Sequence, residues 1–411
     1  MEDFSNVLKN KKFVYLWSSQ ILSQLAINIM NFLVLVNIYE RTNSTIAASF
    51  IWIAYGAPAI LIGPFAAAAV DLYDKRKILV LSNFLQAIII LFYAILYKQF
   101  VYISYVVVLA YSVMDQFYVP AESATLPQLV KKDDLPKANG LFFMSQQIAA
   151  MVGFGFAGIL SEIVGFGPAV LSGAILLLIA FTVSLRLPSQ RRYVHGSVDT
   201  GVWHFFERIK EGYDFIRGKK TILYPFLFLM WLQVSLAILV VNIPAIGTEI
   251  VKTRPSLMGP IMIVPGAVGA LLGTLTISRI INRVRKKIIV ETALFSLFMI
   301  FVFVTGIVTH LPFWIGRLVL ILAFFGIGFS YVSALIPSLT FMQLQTPKKL
   351  MGRLFGNFWF LTTAATLIPV LFAATITEIL GATLLMVVLG VVAGAMFLFS
   401  KIKLSDNLAA L

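Results

Sequence analysis

Cysteine is absent from the 411-residue chain, which excludes a disulfide framework, a thiol catalyst and any cysteine metal site. Charge is also scarce. Only 12% of the residues are Asp, Glu, Lys or Arg, against roughly 25% in an ordinary soluble domain. That is too little polar surface to face water on all sides. The three histidines, His195, His204 and His310, are scattered over polar stretches and make no metal site. There is no Gly-rich phosphate loop ending in Gly-Lys-Ser/Thr, so no ATP-driven motor lies within the sequence. No nucleophile stands beside a base, so the sequence offers no enzyme active site and no cofactor motif. The polar start, Met1 to Asn10, carries Glu2 and Asp3 and lacks a cleavage signature. The first apolar run therefore reads as a retained helix and not as a signal peptide.

Apolar sequence is plentiful. Hydrophobic residues make up 60% of the chain, and the mean hydropathy is +0.93. Runs long enough to cross a bilayer as helices recur from end to end. They predict spans near 13–39, 47–70, 78–97, 101–119, 139–161 and 167–187. A second set falls near 221–246, 257–280, 288–309, 313–340, 353–377 and 381–400. The net charge of +14 is distributed between these runs and forms no single patch, which argues against nucleic-acid binding. With twelve spans both termini share a side, and 27 of the 32 Lys and Arg residues fall on that side. The positive-inside rule puts both termini in the cytoplasm of a cell-membrane protein.

The longest polar stretch divides the chain. It predicts a six-helix bundle over 1–187, a cytoplasmic linker over 188–220 and a second six-helix bundle over 221–411. The halves resemble each other. Gly63 followed by Lys75, Arg76 and Lys77 matches Gly273 followed by Arg285, Lys286 and Lys287 at an offset of 210. Leu141 and Phe142 match Leu354 and Phe355 at an offset of 213. A repeat of this kind suits alternating access, because a site between two similar bodies opens to either side by one motion. Within the linker, Val202, Phe205, Phe206, Ile209, Tyr213 and Ile216 fall on one helical face, with Glu207, Arg208, Glu211 and Asp214 on the other. That pattern predicts an amphipathic helix at the membrane surface.

Several segments carry a family resemblance. Gly63-Pro64-Phe65, continuing to Asp71-Leu72-Tyr73-Asp74-Lys75-Arg76-Lys77, is similar to the signature loop of the major facilitator superfamily. Pro120-Ala121 with Leu126-Pro127-Gln128-Leu129-Val130, Glu211-Gly212-Tyr213 and Gly352-Arg353-Leu354-Phe355-Gly356 resemble its drug–proton antiporter branch, which contains bacterial macrolide and siderophore exporters. The resemblance implies an all-α fold of two pseudo-symmetric bundles and proton-coupled efflux of amphipathic or lipophilic small molecules. It implies a gating role for Gly63, Asp71, Asp74, Lys75, Arg76, Lys77, Arg285, Lys286 and Arg353. Leu72 stands where the family loop has Arg, Ala67 where it has Gly, Tyr111 where many relatives have Arg and Phe154 where antiporters have Pro. An uncoupled facilitator, a lipid or lysolipid flippase and a membrane sensor or scaffold therefore stay open as alternatives.

The residues themselves suggest where mechanism resides. Asp115 falls inside the fourth span, and membrane-embedded carboxylates are costly and mark ion pathways. It is the candidate proton-coupling residue. Gln20, Gln24, Asn28 and Asn31 lie within about 80° of one another on the first span. Four amides on one stripe have no reason to face lipid, so they line a cavity or bridge to another helix. Tyr111, Gln146, Gln233 and Asn357 are further cavity candidates. Arg317 and Glu378 are placed to pair at the outer ends of the tenth and eleventh spans. The expected partners are a small-molecule substrate, protons and the bilayer, with the carrier working as a monomer.

Because the chain has no cysteine, any introduced cysteine is unique. Lys77→Cys and Lys98→Cys should react from opposite sides of sealed vesicles with an impermeant maleimide. Labelling of both from the same side would overturn the assigned topology.

Overall fold

The computed structural model describes residues 5–189, 198–281, 283–307, 311–347 and 350–401. Among them all regular structure is helical, because in hydrocarbon a helix satisfies its own backbone hydrogen bonds. Among the described residues eleven helices are long and apolar enough to cross a membrane, and one bent pair, counted as a single span, makes a twelfth.

The first span runs over Lys11–Thr42. The second is the bent pair, Thr45–Leu61 and Gly63–Leu72, with a 50° bend between them. Pro58 and Pro64 flank the break, and each removes an N–H that a straight helix would use. The third to sixth spans are Lys75–Leu96, Ile103–Leu129, Leu135–Val164 and Phe166–Ser184. After the linker helix Val198–Gly218 come Lys220–Val241, with the short helix Ile243–Glu249 beyond Asn242, as the seventh. The eighth begins with a π-helical turn, Gly259–Ile263, and continues as Val264–Ile280. The last four are Lys286–Ile307, Phe313–Gln345, Met351–Leu380 and Ala382–Phe399.

The fourth span differs most from its expected end near residue 119. Pro120 and Pro127 lie inside the helix, which continues to Leu129. A proline deletes one backbone bond but does not terminate a helix that neighbouring helices hold in place. The long helix of the seventh span stops at Val241, and Asn242, whose side chain turns back to the Ile238 carbonyl at 2.8 Å just ahead of Pro244, separates it from the short helix Ile243–Glu249.

The chain forms two compact units, Met1–Arg41 with Phe50–Glu207, and Thr42–Ser49 with Arg208–Leu411. In the first, the third span packs on the fourth and sixth, and the tail of the second packs on the fourth. In the second, the ninth packs on the tenth and twelfth, and the eighth on the tenth. The same internal plan is thus used twice. Gly165 and Gly381, which join the last two helices of each set, have φ of 87° and 88°. That left-handed conformation favours glycine at both corners.

Apolar side chains fill the interior of each unit. Phe13, Leu16, Leu79, Tyr118 and Leu126 centre one cluster, and Ile222, Phe226, Leu229, Leu354 and Phe358 another. Lipid tails are as apolar as these side chains, so close backbone approach contributes much of the packing energy. The eighth and tenth spans use it most. A Cβ on Gly269 would run into the Phe325 carbonyl, and one on Gly273 would come within 3.0 Å of the Phe329 carbonyl. Gly269→Leu should therefore destabilise the second unit by about 1 to 3 kcal/mol. A lowered melting temperature in detergent would register it. Gly140, which has nothing within 4 Å of a Cβ, supplies the control through Gly140→Ala.

Candidate functional site

The first unit holds a connected set of buried polar side chains centred on the fourth span. Ser104, Tyr111, Asp115, Tyr118, Glu122 and Thr125 are all buried along this helix, at spacings of three, four and seven that keep them on one face. Their partners come from the other spans of the same unit.

Asp115 is 8% exposed. One carboxylate oxygen accepts from Gln86 Nε2 of the third span at 2.7 Å. The other accepts from the Tyr55 hydroxyl of the second span at 3.2 Å. Gln86 Nε2 also reaches the Tyr111 carbonyl at 3.2 Å, and Ser112 Oγ donates to the Tyr55 carbonyl at 2.6 Å. The Tyr111 hydroxyl donates to Asn31 Oδ1 at 2.5 Å, which brings the first span into the set. Every donor on Asp115 is neutral. Among the described residues no lysine, arginine or histidine bonds it. One helical turn further along, the Tyr118 hydroxyl meets Ser19 Oγ at 3.1 Å. Asn83 donates to both Ser19 and Ser184 at 3.1 Å, and those two hydroxyls lie 2.9 Å apart. The Tyr118 phenol stands beside the Glu122 carboxyl.

The first-span amides divide. Asn31 joins the Asp115 set. Gln20 is buried and engaged by the fifth span, donating to the Phe142 carbonyl at 3.3 Å and accepting from Ser145 at 2.8 Å. Asn28 bonds the Gln24 carbonyl within its own helix at 2.7 Å. Its Cβ lies where a side chain on Gly153 would begin, so the first and fifth spans touch there. Gln146 is exposed. Gln233 accepts from the Tyr331 hydroxyl in the second unit.

Asn357, expected to line a cavity, is instead fully buried. It donates to the Arg353 carbonyl at 2.9 Å and lies against Gly212 of the linker helix. Arg353 forms an ion pair with Glu211 at 2.6 Å. Among the described side chains of that helix Gly212 and Ile216 are buried, while Trp203, Phe206 and Tyr213 are exposed. Gly212 seats the helix on the eleventh span through its missing side chain, beside Asn357 and the Arg353 carbonyl. Val202, Phe205 and Arg208 have side chains outside the described residues.

In the loop after the second span, Asp74 caps the third helix by accepting from Arg76 N at 3.0 Å, and it takes the Ser189 hydroxyl at 2.5 Å. Arg76 reaches the Leu185 carbonyl at 2.5 Å. Lys75 is buried and Lys77 is exposed. Gly63 opens the second segment of the bent span, 3.8 Å from Gln116 as a Cβ would measure it. The Asp71 side chain lies outside the described residues. Arg285 is exposed and Lys286 half-buried at the matching turn. Glu378 is exposed and accepts from Ser44 Oγ at 2.6 Å and Ile46 N at 2.8 Å, capping the start of the Thr45–Leu61 helix. Arg317 is half-buried in the tenth span.

Sequence reasoning misses Glu122, Gln86, Tyr55 and Tyr118. Glu122 escapes it because Pro120 signals a helix end that the structure does not have. Its place seven residues after Asp115 is the signal that extends the polar stripe. Gln86 stands alone in an apolar run, and an isolated amide at that depth needs a partner. Gln86→Leu should leave a buried Asp115 oxygen short of its closest donor, at a cost of about 1 to 3 kcal/mol. Thermal unfolding in detergent would measure it, and a melting curve equal to that of the unmodified protein would remove Gln86 from the site.

Comparison with known proteins places this geometry in context. The family described as the Major Facilitator Superfamily matches residues 16–369. The chain is 30% identical over 164 residues to the uncharacterized MFS-type transporter YjbB of Bacillus subtilis, covering 39% of this chain and 40% of that protein. That match therefore spans well under half of the relative's length. It is 23% identical over 367 residues to macrolide efflux protein A of Streptococcus pyogenes, covering 87% of this chain and 86% of that protein. Among solved structures, a POT family transporter in complex with 5-aminolevulinic acid superposes with a TM-score of 0.72 at 15% identity, covering 96% of both chains.

Proposed function

We propose that this chain, which belongs to the major facilitator superfamily, is a proton-coupled exporter of amphipathic or lipophilic small molecules that works by alternating access. The observation that carries the reading is Asp115. It is a buried carboxyl inside a bundle, held by a tyrosine and a glutamine, with no bonded cation among the described residues. Such a group is tolerable while it holds a proton and costly when it is charged. Access to water from one side and then the other would let it load and release that proton. The ordinary state of its neighbours fits this cycle, because an amide and a phenol donate to either form of the carboxyl.

Similarity to a macrolide efflux protein over most of both lengths supports export of drug-like compounds. The basic excess on one side supports a cell membrane with both termini in the cytoplasm. In this reading the Asp74–Arg76 turn, fastened to the end of the sixth span, and the matching turn at Arg285 act as gating elements.

Inverted membrane vesicles test the proposal. They should take up lipophilic dyes or macrolides under a proton gradient, and a protonophore should abolish the uptake. Asp115→Asn should cut the gradient-driven part by about tenfold or more while leaving the protein in the membrane. Uptake that ignores the gradient would instead favour an uncoupled carrier or a lipid flippase.

A further inference from the structure

A second carboxyl sits in the same bundle. Glu122 lies two helical turns beyond Asp115 on the fourth span and is 8% exposed. Its Oε1 is closed off from solvent and has no hydrogen-bond partner. The hydroxyl of Thr125, next along the same face, is also buried without a partner.

Among the described residues the groups around Glu122 are few and neutral apart from Asp115. Tyr118 of its own helix stands beside it, and Asp115 is the other charged group that acts on it. The first span faces this stretch with Ser19 and Ser23, the third with Asn83 and the sixth with Ser184. Among the described residues no lysine, arginine or histidine bonds the carboxyl. A buried carboxylate without a cation is strongly disfavoured, even after relaxation of its surroundings. A glutamine would fill the same space and offer the same acceptor without that cost. What the carboxyl adds is a proton that can leave.

We infer that Glu122 is a second proton-carrying carboxyl, in series with Asp115 along the fourth span. The inference rests on the proton-coupled reading of Asp115. Loading forms one O–H bond at the carboxylate from a water-borne proton. Release breaks that bond and returns the proton to water, with no other bond changed. The unpartnered Oε1 and Thr125 hydroxyl leave hydrogen-bonding capacity for the water that must arrive for the exchange.

Infrared difference spectra of the full chain in lipid, taken between about pH 5 and about pH 9, read the protonated carboxyl directly. Two carboxyl bands should fade as the pH rises. Glu122→Gln should remove one, Asp115→Asn the other, and Glu122→Asp should restore a shifted band in place of the first. With a transported compound in hand, Glu122→Gln should lower the protons moved per molecule by about half. A Glu122→Gln spectrum identical to that of the unmodified protein would overturn the inference and make Glu122 structural. If Glu122→Gln does not fold, Glu122→Asp decides the matter, and absence of a shifted band overturns the inference equally. Both bands present in a protein that moves no compound would sink the exporter reading alone. Proton-driven transport without a Glu122 band would sink only the second carrier.

Discussion

A bilayer interior offers no water to hydrogen-bond a polar group, and most of this structure follows from that. Each backbone amide must find a partner along its own helix, hence the all-helical fold. Each buried polar side chain must find a partner on a neighbouring helix or on its own backbone. The fourth span shows how far the requirement reaches. Asp115 draws donors from the second and third spans, Tyr111 draws an acceptor from the first, and Tyr118 is joined to the sixth through Ser19. A set of polar side chains with no place in hydrocarbon thereby fixes how helices of the first unit pack.

The helices are legible in the sequence because length and hydropathy alone decide them. The shared plan of the two halves is legible too, since matched basic turns recur at fixed offsets. Ends are less so. Pro120 carries a strong local signal for a break, yet surrounding helices hold the fourth span together through it. Local propensity loses to tertiary support, and Glu122 is hidden as a result. The polar partners are hidden for a different reason. Tyr55 lies on the second span and Gln86 and Asn83 on the third, and a single sequence says nothing of which faces meet. The linker helix shows the same gap. Its apolar residues suggest a face toward the membrane surface, but Gly212, which has no side chain to count, makes the close approach to the eleventh span.

Prolines and glycines play opposite parts in the two units. In the first, Pro58 and Pro64 break a span, and the bend leaves Tyr55 where it meets Asp115. In the second, Gly269 and Gly273 bring two backbones together without breaking either helix. The first unit gains a directed polar side chain and the second a close seam.

Many hydroxyls of the second unit bond their own helix. Thr292, Thr305, Thr340, Thr346, Thr363, Thr366, Thr375 and Thr377, with Ser333 and Ser338, all bond carbonyls one turn back in their own helices. In the first unit, Ser19, Ser145 and Ser184 take part in bonds between helices. Loss of one of these threonine hydroxyls leaves one helix slightly altered, whereas loss of Ser19 or Ser145 strands a partner on another helix. Substitutions should therefore be tolerated more readily at those threonines than at the two serines.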